Sequence, residues 1–333
     1  MNTLWSLSGI KLACAHCKMA LEHADLHLIC SACGLRYPLT EGLANMRIDW
    51  LQGVEGADSA HASEAAHKSA VQGVYDSINR TLEKKGISRF STFINWGYVA
   101  SDKAGSSGFQ GVNESFVHLL SEIVGTMSLG GKDVLEVGCG RGGNVNELCK
   151  NYGTGSVVGI DLTSSNIEFC HKNNRYKQAY YCIGDAEELP VQSGCCDYVL
   201  NVESSHLYPR IERFFYESHR VLKPEGALLY ADIMNASDVA HYEALWEKLG
   251  FFKALDRDIT GNVLLSGEQS LSTRMSTLGG SFEGNVGTLE WLEAPGTQNH
   301  QDMQTGKRVF KIIHLIKKER STELSGIERG IER

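Results

Sequence analysis

Between residues 133 and 233 the chain repeats one pattern: a run of five to seven mostly apolar residues, a polar or glycine-rich turn, then a stretch with apolar side chains every three or four positions. The short runs predict buried strands at 133–137, 156–161, 179–184, 196–202 and 227–233, and the longer stretches predict helices near 143–151, 164–174 and 210–222. Strands that alternate with helices in this way build an α/β fold around a parallel, doubly wound sheet. Upstream, Asn113 caps a predicted helix carrying Phe116, Leu119, Leu120, Ile123, Val124 and Met127 on one face. Downstream the pattern predicts a helix near 237–249, a strand near 252–258, a helical stretch near 262–277 and a last strand over 308–318. Residues 51–70, rich in Ala, Ser, Gly and His without an apolar period, suit a linker or a weak exposed helix, and Val74 to Lys85 suits a helix. Residues 283–306 read as an irregular insertion. The charged tail over 319–333, with Gly-Ile-Glu-Arg twice, reads as disordered. The chain therefore divides into an amino-terminal module over 1–50, a linker over 51–70, a main domain over 71–318 and a tail.

Open parallel sheets bind ligands beyond the carboxyl ends of their strands, so the turns after these runs are where chemistry belongs. The first run ends Glu136-Val137-Gly138-Cys139-Gly140-Arg141-Gly142-Gly143, which satisfies both G-x-G-x-x-G and G-x-G-x-G, so the glycines alone do not name the ligand. Glu136, at the strand's end, would repel a pyrophosphate and attract an ammonium and a sulfonium, which favours S-adenosylmethionine over a dinucleotide. The second run ends in Asp161, placed to accept hydrogen bonds from ribose hydroxyls, and the third in Asp185, an acceptor suited to an adenine amino group.

Taken in order, Glu136 to Gly142, Asp161, Asp185 and Leu222-Lys223-Pro224-Glu225-Gly226 resemble the motifs of class I S-adenosylmethionine-dependent methyltransferases. The resemblance implies a Rossmann-like, seven-stranded, mostly parallel sheet with an antiparallel last strand. It carries cofactor contacts to Glu136, Gly138, Gly140, Asn144, Asp161, Leu162, Asp185, Ala186 and Asn201. The turn Asn95-Trp96-Gly97-Tyr98 is similar to one lying against the cofactor in small-molecule methyltransferases of macrolides, glycosides and polyketide lipids, which adds Tyr98; core packing of Trp96 and Tyr98 is the alternative.

The fourth turn reads Asn201-Val202-Glu203-Ser204-Ser205-His206-Leu207-Tyr208-Pro209, and the neighbouring strand ends in Asp232. An alcohol is a poor nucleophile until a base takes its proton, so His206 suits the base of an O-methylation and Asp232 the carboxylate that fixes its tautomer. Glu-Ser-Ser-His-x-Tyr-Pro with Leu-Lys-Pro-x-Gly resembles enzymes methylating phthiotriolone-type lipids and macrolide sugars, which implies an acceptor among polyketides, glycosides or peptide products. A structural loop histidine is the alternative.

Ahead of this domain, Cys14-x-x-Cys17 and Cys30-x-x-Cys33 stand twelve residues apart. Two such knuckles facing each other supply four thiolates to a structural zinc and leave no open coordination position for catalysis. With the Tyr37-Pro38 and Gly42 tail, the module resembles the small zinc-binding activator subunit of tRNA and protein methyltransferases, here fused in cis. The remaining cysteines read as small buried hydrophobes.

Composition then narrows the partners. With 333 residues and 42% hydrophobic content the chain can bury one large core and a small satellite module. Its net charge of −8 gives no footprint for nucleic acid, and a small-molecule acceptor is expected instead. No apolar run is long enough for a membrane span and no leader is visible, so a cytoplasmic location is expected; a homodimer is compatible with the sequence. Two rival readings stay open: methylation of carbon or nitrogen of a metabolite, and an RNA- or translation-factor-directed protein using its ribbon as a docking module. Against the second, no Asn-Pro-Pro-Tyr-like motif follows the fourth strand.

Overall fold

The computed structural model describes residues 9–48, 59–101, 113–278 and 294–318. The chain begins with an antiparallel meander of four short strands, β1 (Leu21–Ala24), β2 (His27–Cys30), β3 (Arg36–Thr40) and β4 (Leu43–Ala44). A 26-residue helix, α1 (Ser59–Lys84), leads towards the main domain. Of residues 51–70, read as a linker or a weak exposed helix, those from Ser59 onward are helical, while 51–58 lie outside the described residues. The segment has no apolar stripe to announce a helix; polar ties secure it, including Lys68 to Asp185 at 2.6 Å and Glu64 to Arg210 at 3.3 Å.

The main sheet holds β5 (Asp133–Val137), β6 (Ser156–Asp161), β7 (Ala179–Ile183), β8 (Cys196–Val202), β9 (Leu222–Asn235), β10 (Phe251–Asp258) and β11 (Arg308–Lys317). Their order is β10-β11-β9-β8-β5-β6-β7. The pairs from β7 to β9 are parallel, and β11 enters antiparallel between β9 and β10. Helices α2 (Glu114–Val124), α3 (Gly143–Asn151), α4 (Ser164–Asn173), α5 (Ile211–Val221), α6 (Val239–Leu249) and α7 (Thr260–Leu278) connect or flank them. The seven-stranded, mostly parallel architecture is the one expected.

Both faces of the sheet are buried, which explains the nearly continuous apolar runs. Along β7, Tyr180 and Cys182 join one core cluster while Ala179, Tyr181 and Ile183 join the other, as the two-residue period requires. The first cluster continues into the meander through Ile10, Leu12, Leu28, Tyr37 and Met46, so the amino-terminal module shares a core with the sheet.

Three smaller expectations are corrected. Helix α2 stops at Val124 with Gly125 as its cap, which leaves Met127 beyond it, and Asn113 makes no side-chain cap bond. Strand β9 starts at Leu222, earlier than 227, because Leu222 already pairs with Cys196. Within the expected irregular insertion, Gln298–Gln304 form a helix, α8, whose cap Thr297 accepts from the His300 amide at 3.4 Å; residues 279–293 and the tail over 319–333 lie outside the described residues.

Candidate active site

The turns after β5, β6, β7 and β8 converge on one cleft of about 890 Å³, its open mouth included. The β5 turn is shaped by glycine. Gly138 has φ 73°, and a Cβ there would lie 2.3 Å from Ser204 Oγ, so no other residue lets these two turns approach so closely. The loop is tied to β6 by the amides of Gly138 and Cys139, which donate to the Ile160 carbonyl at 2.8 and 3.0 Å.

Glu136 is 1% exposed and lines the cleft. Its Oε1 accepts from Asn144 Nδ2 at 2.8 Å, while Oε2 is buried without a hydrogen-bond partner. Burial, eased in part by the Asn144 bond, pushes its pKa up to about 8. An orphaned carboxylate oxygen facing a cleft is a seat for a cationic group. Asp161 accepts from the Gly140 amide through Oδ2 at 2.9 Å, and from the Thr163 amide and Asn166 through Oδ1 at 2.8 and 3.2 Å. Burial raises its pKa, and these bonds limit the rise. Asp185 accepts from the Glu187 amide through Oδ1 at 2.9 Å, while Oδ2 meets Lys68 Nζ at 2.6 Å.

Of the ten cofactor contacts expected, Glu136, Gly138, Gly140, Asn144, Asp161, Leu162, Asp185 and Ala186 line this cleft together. Two do not. Tyr98 packs beside the core cluster under α2 and its amide donates to Ser115 O at 2.9 Å; the residues of that turn which face the cleft are Phe93, Ile94 and Asn95. Asn201 is fully buried behind the wall, where its amide nitrogen donates to Val137 O at 3.0 Å, Ser204 Oγ at 2.8 Å and Tyr208 OH at 3.2 Å, clasping the β5 and β8 turns. Sequence reasoning missed Lys68, Val71 and Tyr75, which line the cleft from α1. Their i, i+3, i+7 spacing on one helical face was the available signal.

His206 and Asp232 come together at the tips of β8 and β9, with Nδ1 2.7 Å from Oδ1. Asp232 is wholly buried and also accepts from Ser205 Oγ at 2.6 Å, the His206 amide at 3.1 Å and its own neighbour's amide, Ile233, at 2.8 Å. Burial favours the neutral acid, but His206 and these donors outweigh it and hold the carboxyl below its ordinary range. An ionised carboxylate only accepts, so Nδ1 carries the proton and Nε2 is the basic nitrogen. Neither His206 nor Asp232 is among the residues that line the cleft, although Ser204 and Leu207, on either side of Ser205 and His206 in sequence, are. Glu203 takes a left-handed φ of 48°, and both of its carboxylate oxygens accept from the Trp96 amide, at 3.0 and 2.8 Å, pinning the aromatic turn over the β8 loop.

In the amino-terminal module the sulfur atoms of Cys14, Cys17, Cys30 and Cys33 lie within 4.8 Å of one another, with Cys14 and Cys33 3.5 Å apart and Cys17 and Cys30 3.4 Å apart. A tetrahedral zinc with Zn–S of about 2.3 Å sets its sulfurs about 3.8 Å apart, so the cluster has the size that ion needs. Both knuckles turn alike: Lys18 and Gly34, the residues after the second cysteine of each pair, have φ 61° and 77°. Tyr37 OH lies 3.1 Å from Cys14 Sγ and accepts from the Ala15 amide at 3.0 Å, an outer support for that sulfur.

The family signature described as "Methyltransferase domain" matches residues 135–230. The chain is 37% identical over 248 residues to the fatty-acid O-methyltransferase of Mycolicibacterium smegmatis, an alignment covering 73% of this chain and 88% of that protein. It is 36% identical over 182 residues to the phthiotriol/phenolphthiotriol dimycocerosates methyltransferase of Mycobacterium tuberculosis (strain ATCC 25618 / H37Rv), covering 52% of this chain and 64% of that one. Among solved structures, the [4+2]-cyclase SpnF superposes with a TM-score of 0.58 at 17% identity, over 80% of this chain and 99% of that chain. The geranyl diphosphate C-methyltransferase of Streptomyces coelicolor A3(2) superposes with a TM-score of 0.56 at 15% identity, over 75% and 98%. At such identities the superpositions speak for the fold alone.

Proposed function

Because the chain belongs to the S-adenosylmethionine-dependent methyltransferases, we propose that it methylates a hydroxyl oxygen of a small, largely apolar metabolite, with His206 as the base and Asp232 as its orienting partner. The observation that carries this reading is the 2.7 Å contact between His206 Nδ1 and a buried, four-times hydrogen-bonded Asp232. Such a dyad serves an acceptor that must lose a proton. A carboxylate acceptor, ionised at neutral pH, has no use for it. The relative named for fatty acids nevertheless supports a carboxylate as the second reading, since its alignment covers 88% of that protein. The relative named for phthiotriol dimycocerosates supports an apolar, hydroxyl-bearing acceptor. Phe93, Ile94, Val71 and Leu207 give the cleft the apolar surface either would need.

S-adenosylmethionine supplies an electrophilic methyl group on a sulfonium. In the proposed site Glu136 holds the ammonium of the amino-acid end, Asp161 accepts from the ribose hydroxyls, and Asp185 and Ala186 flank the adenine, where Asp185 would exchange its Lys68 contact for the new ligand. The structure fits this occupant through the partnerless Glu136 Oε2 and the glycine cradle at 138. Asp161→Ala is expected to weaken S-adenosylhomocysteine by roughly 1.5 to 3 kcal/mol, the scale of charge-assisted hydrogen bonds. Titration calorimetry measures it, and an unchanged dissociation constant would remove Asp161 from the ribose site.

The four thiolates of Cys14, Cys17, Cys30 and Cys33 fit a structural zinc. Elemental analysis is expected to find about one zinc per chain and a marked loss in Cys30→Ser. Equal metal in both proteins would end that assignment. Among the described residues no helix is long and apolar enough to cross a membrane.

A further inference from the structure

The segment Gly184–Pro190 follows β7, and its first three residues, Gly184, Asp185 and Ala186, line the cleft. The amino-terminal module grips this segment at both ends. At its start, the Met46 amide donates to Ile183 O at 2.8 Å and Asn45 forms a parallel bridge with Ile183. At its end, the Ala13 amide donates to Pro190 O at 2.9 Å, Leu12 bridges Val191, and the Gln192 amide donates to Lys11 O at 2.9 Å. In between, Lys18 Nζ lies 3.3 Å from Glu188 Oε2 and donates to Leu189 O at 3.4 Å, while also meeting the fully buried Glu217 at 3.0 Å. Ile10 and Met46, fully buried, share one core cluster with Leu189 and Val191. The wall after β6 is touched as well, by Arg47 Nη1 3.5 Å from Leu162 O.

We infer that the cysteine module is a positioning element of the cofactor cleft in its own chain: it holds the adenine-side wall in place, so that cofactor affinity depends on it. The inference rests on reading the cleft as the cofactor site. Its physical basis is preorganisation. A wall already fixed before binding spares the ligand the entropy of ordering it, and a module that merely recruited a partner would leave cofactor affinity indifferent to its integrity.

The test uses the full chain, S-adenosylhomocysteine as the probe, and two readouts: calorimetric affinity and hydrogen exchange over residues 183–192. Lys18→Met removes the tie to Glu188 and Glu217 and is expected to weaken the probe roughly tenfold, with faster exchange across the segment. Lys18→Arg keeps a cation within reach of both carboxylates and is expected to recover most of the affinity. Cys33→Ser, which loosens the module from its exposed knuckle, is expected to act in the same direction. Should that variant fail to fold, Lys18→Met decides alone. Affinity within about twofold of wild type in Lys18→Met overturns the inference, whatever its exchange. Asp161→Ala reads the cofactor placement separately: a loss there with none in Lys18→Met rejects the module's role only, whereas no loss in Asp161→Ala rejects the placement on which it rests.

Discussion

Replacing His206 with alanine is expected to lower methyl transfer to a hydroxyl acceptor by roughly 10²-fold or more, while affinity for S-adenosylmethionine stays near wild type. Binding and chemistry are expected to separate because His206 is not among the residues that line the cleft. Asp232→Asn is expected to slow turnover as well. The amide can present its NH2 to Nδ1 and so stabilise the tautomer whose basic nitrogen points the wrong way. Since the two residues act through one hydrogen bond of 2.7 Å, the double variant should lose far less than the product of the single losses. The rate of the wild type should rise with pH as the imidazole gives up its proton, and this limb should vanish in His206→Ala. Turnover close to wild type in His206→Ala on the true acceptor would discard the hydroxyl reading and favour an acceptor that needs no base, such as a carboxylate or a carbon or nitrogen centre.

The second large effect concerns Glu136. With its pKa at about 8 in the ligand-free cleft, the side chain is mostly protonated at neutral pH and must ionise to meet a cation. Cofactor affinity should therefore climb with pH up to about 8 and then level, and binding at pH 7 should release protons. Calorimetry in buffers of different ionisation enthalpy counts them. Glu136→Gln should abolish the release and weaken binding by roughly 2 to 5 kcal/mol, the scale of truncating one partner of a buried charge pair. For folding the sign is the reverse. A raised carboxyl contributes stability that is fully present below the ordinary value of 4.5 and is lost as pH rises through about 8, so ligand-free wild type should weaken over that window and Glu136→Gln should not. No proton release by the wild type would show that Glu136 does not meet the cation.

The sheet was legible because its central strands are largely buried on both faces, so β5, β6 and β8 appear as mostly apolar runs, and the strand ends and the turns after them carry the polar residues that line the cleft. The pairing of His206 with Asp232 was legible for the same reason: adjacent strand tips lie side by side once the strand order is known. Helix α1 was harder to see. Its first half is polar and alanine-rich, and what secures it lies far away in sequence: Asp185 and Glu187 for Lys68, Arg210 for Glu64, and the Leu207 carbonyl 2.9 Å from His67. With a helix expected only from Val74 onward and a linker still open before it, Lys68 and Val71 were not placed on one face with Tyr75. For Tyr98 the sequence left cofactor contact and core packing both open, because composition does not say which side chains of an aromatic turn point inward. The left-handed Gly97, at φ 72°, turns the chain after Trp96 and sends Tyr98 back beneath α2.

The grip of the amino-terminal module on residues 183–192 also sets an order of assembly. Its own cysteines are close in sequence, with Cys14 and Cys33 19 residues apart, so the knuckles and their hairpin can close as soon as that stretch leaves the ribosome. Its contacts with Ile183, Pro190 and Glu188 span well over a hundred residues and must wait until β7 and the segment after it have been made. The module is made before the segment it docks on, and until that segment appears, the apolar faces of Ile10, Leu12 and Met46 lack their partners Leu189 and Val191. Slow refolding phases and losses to aggregation should therefore track the return of this module to the sheet.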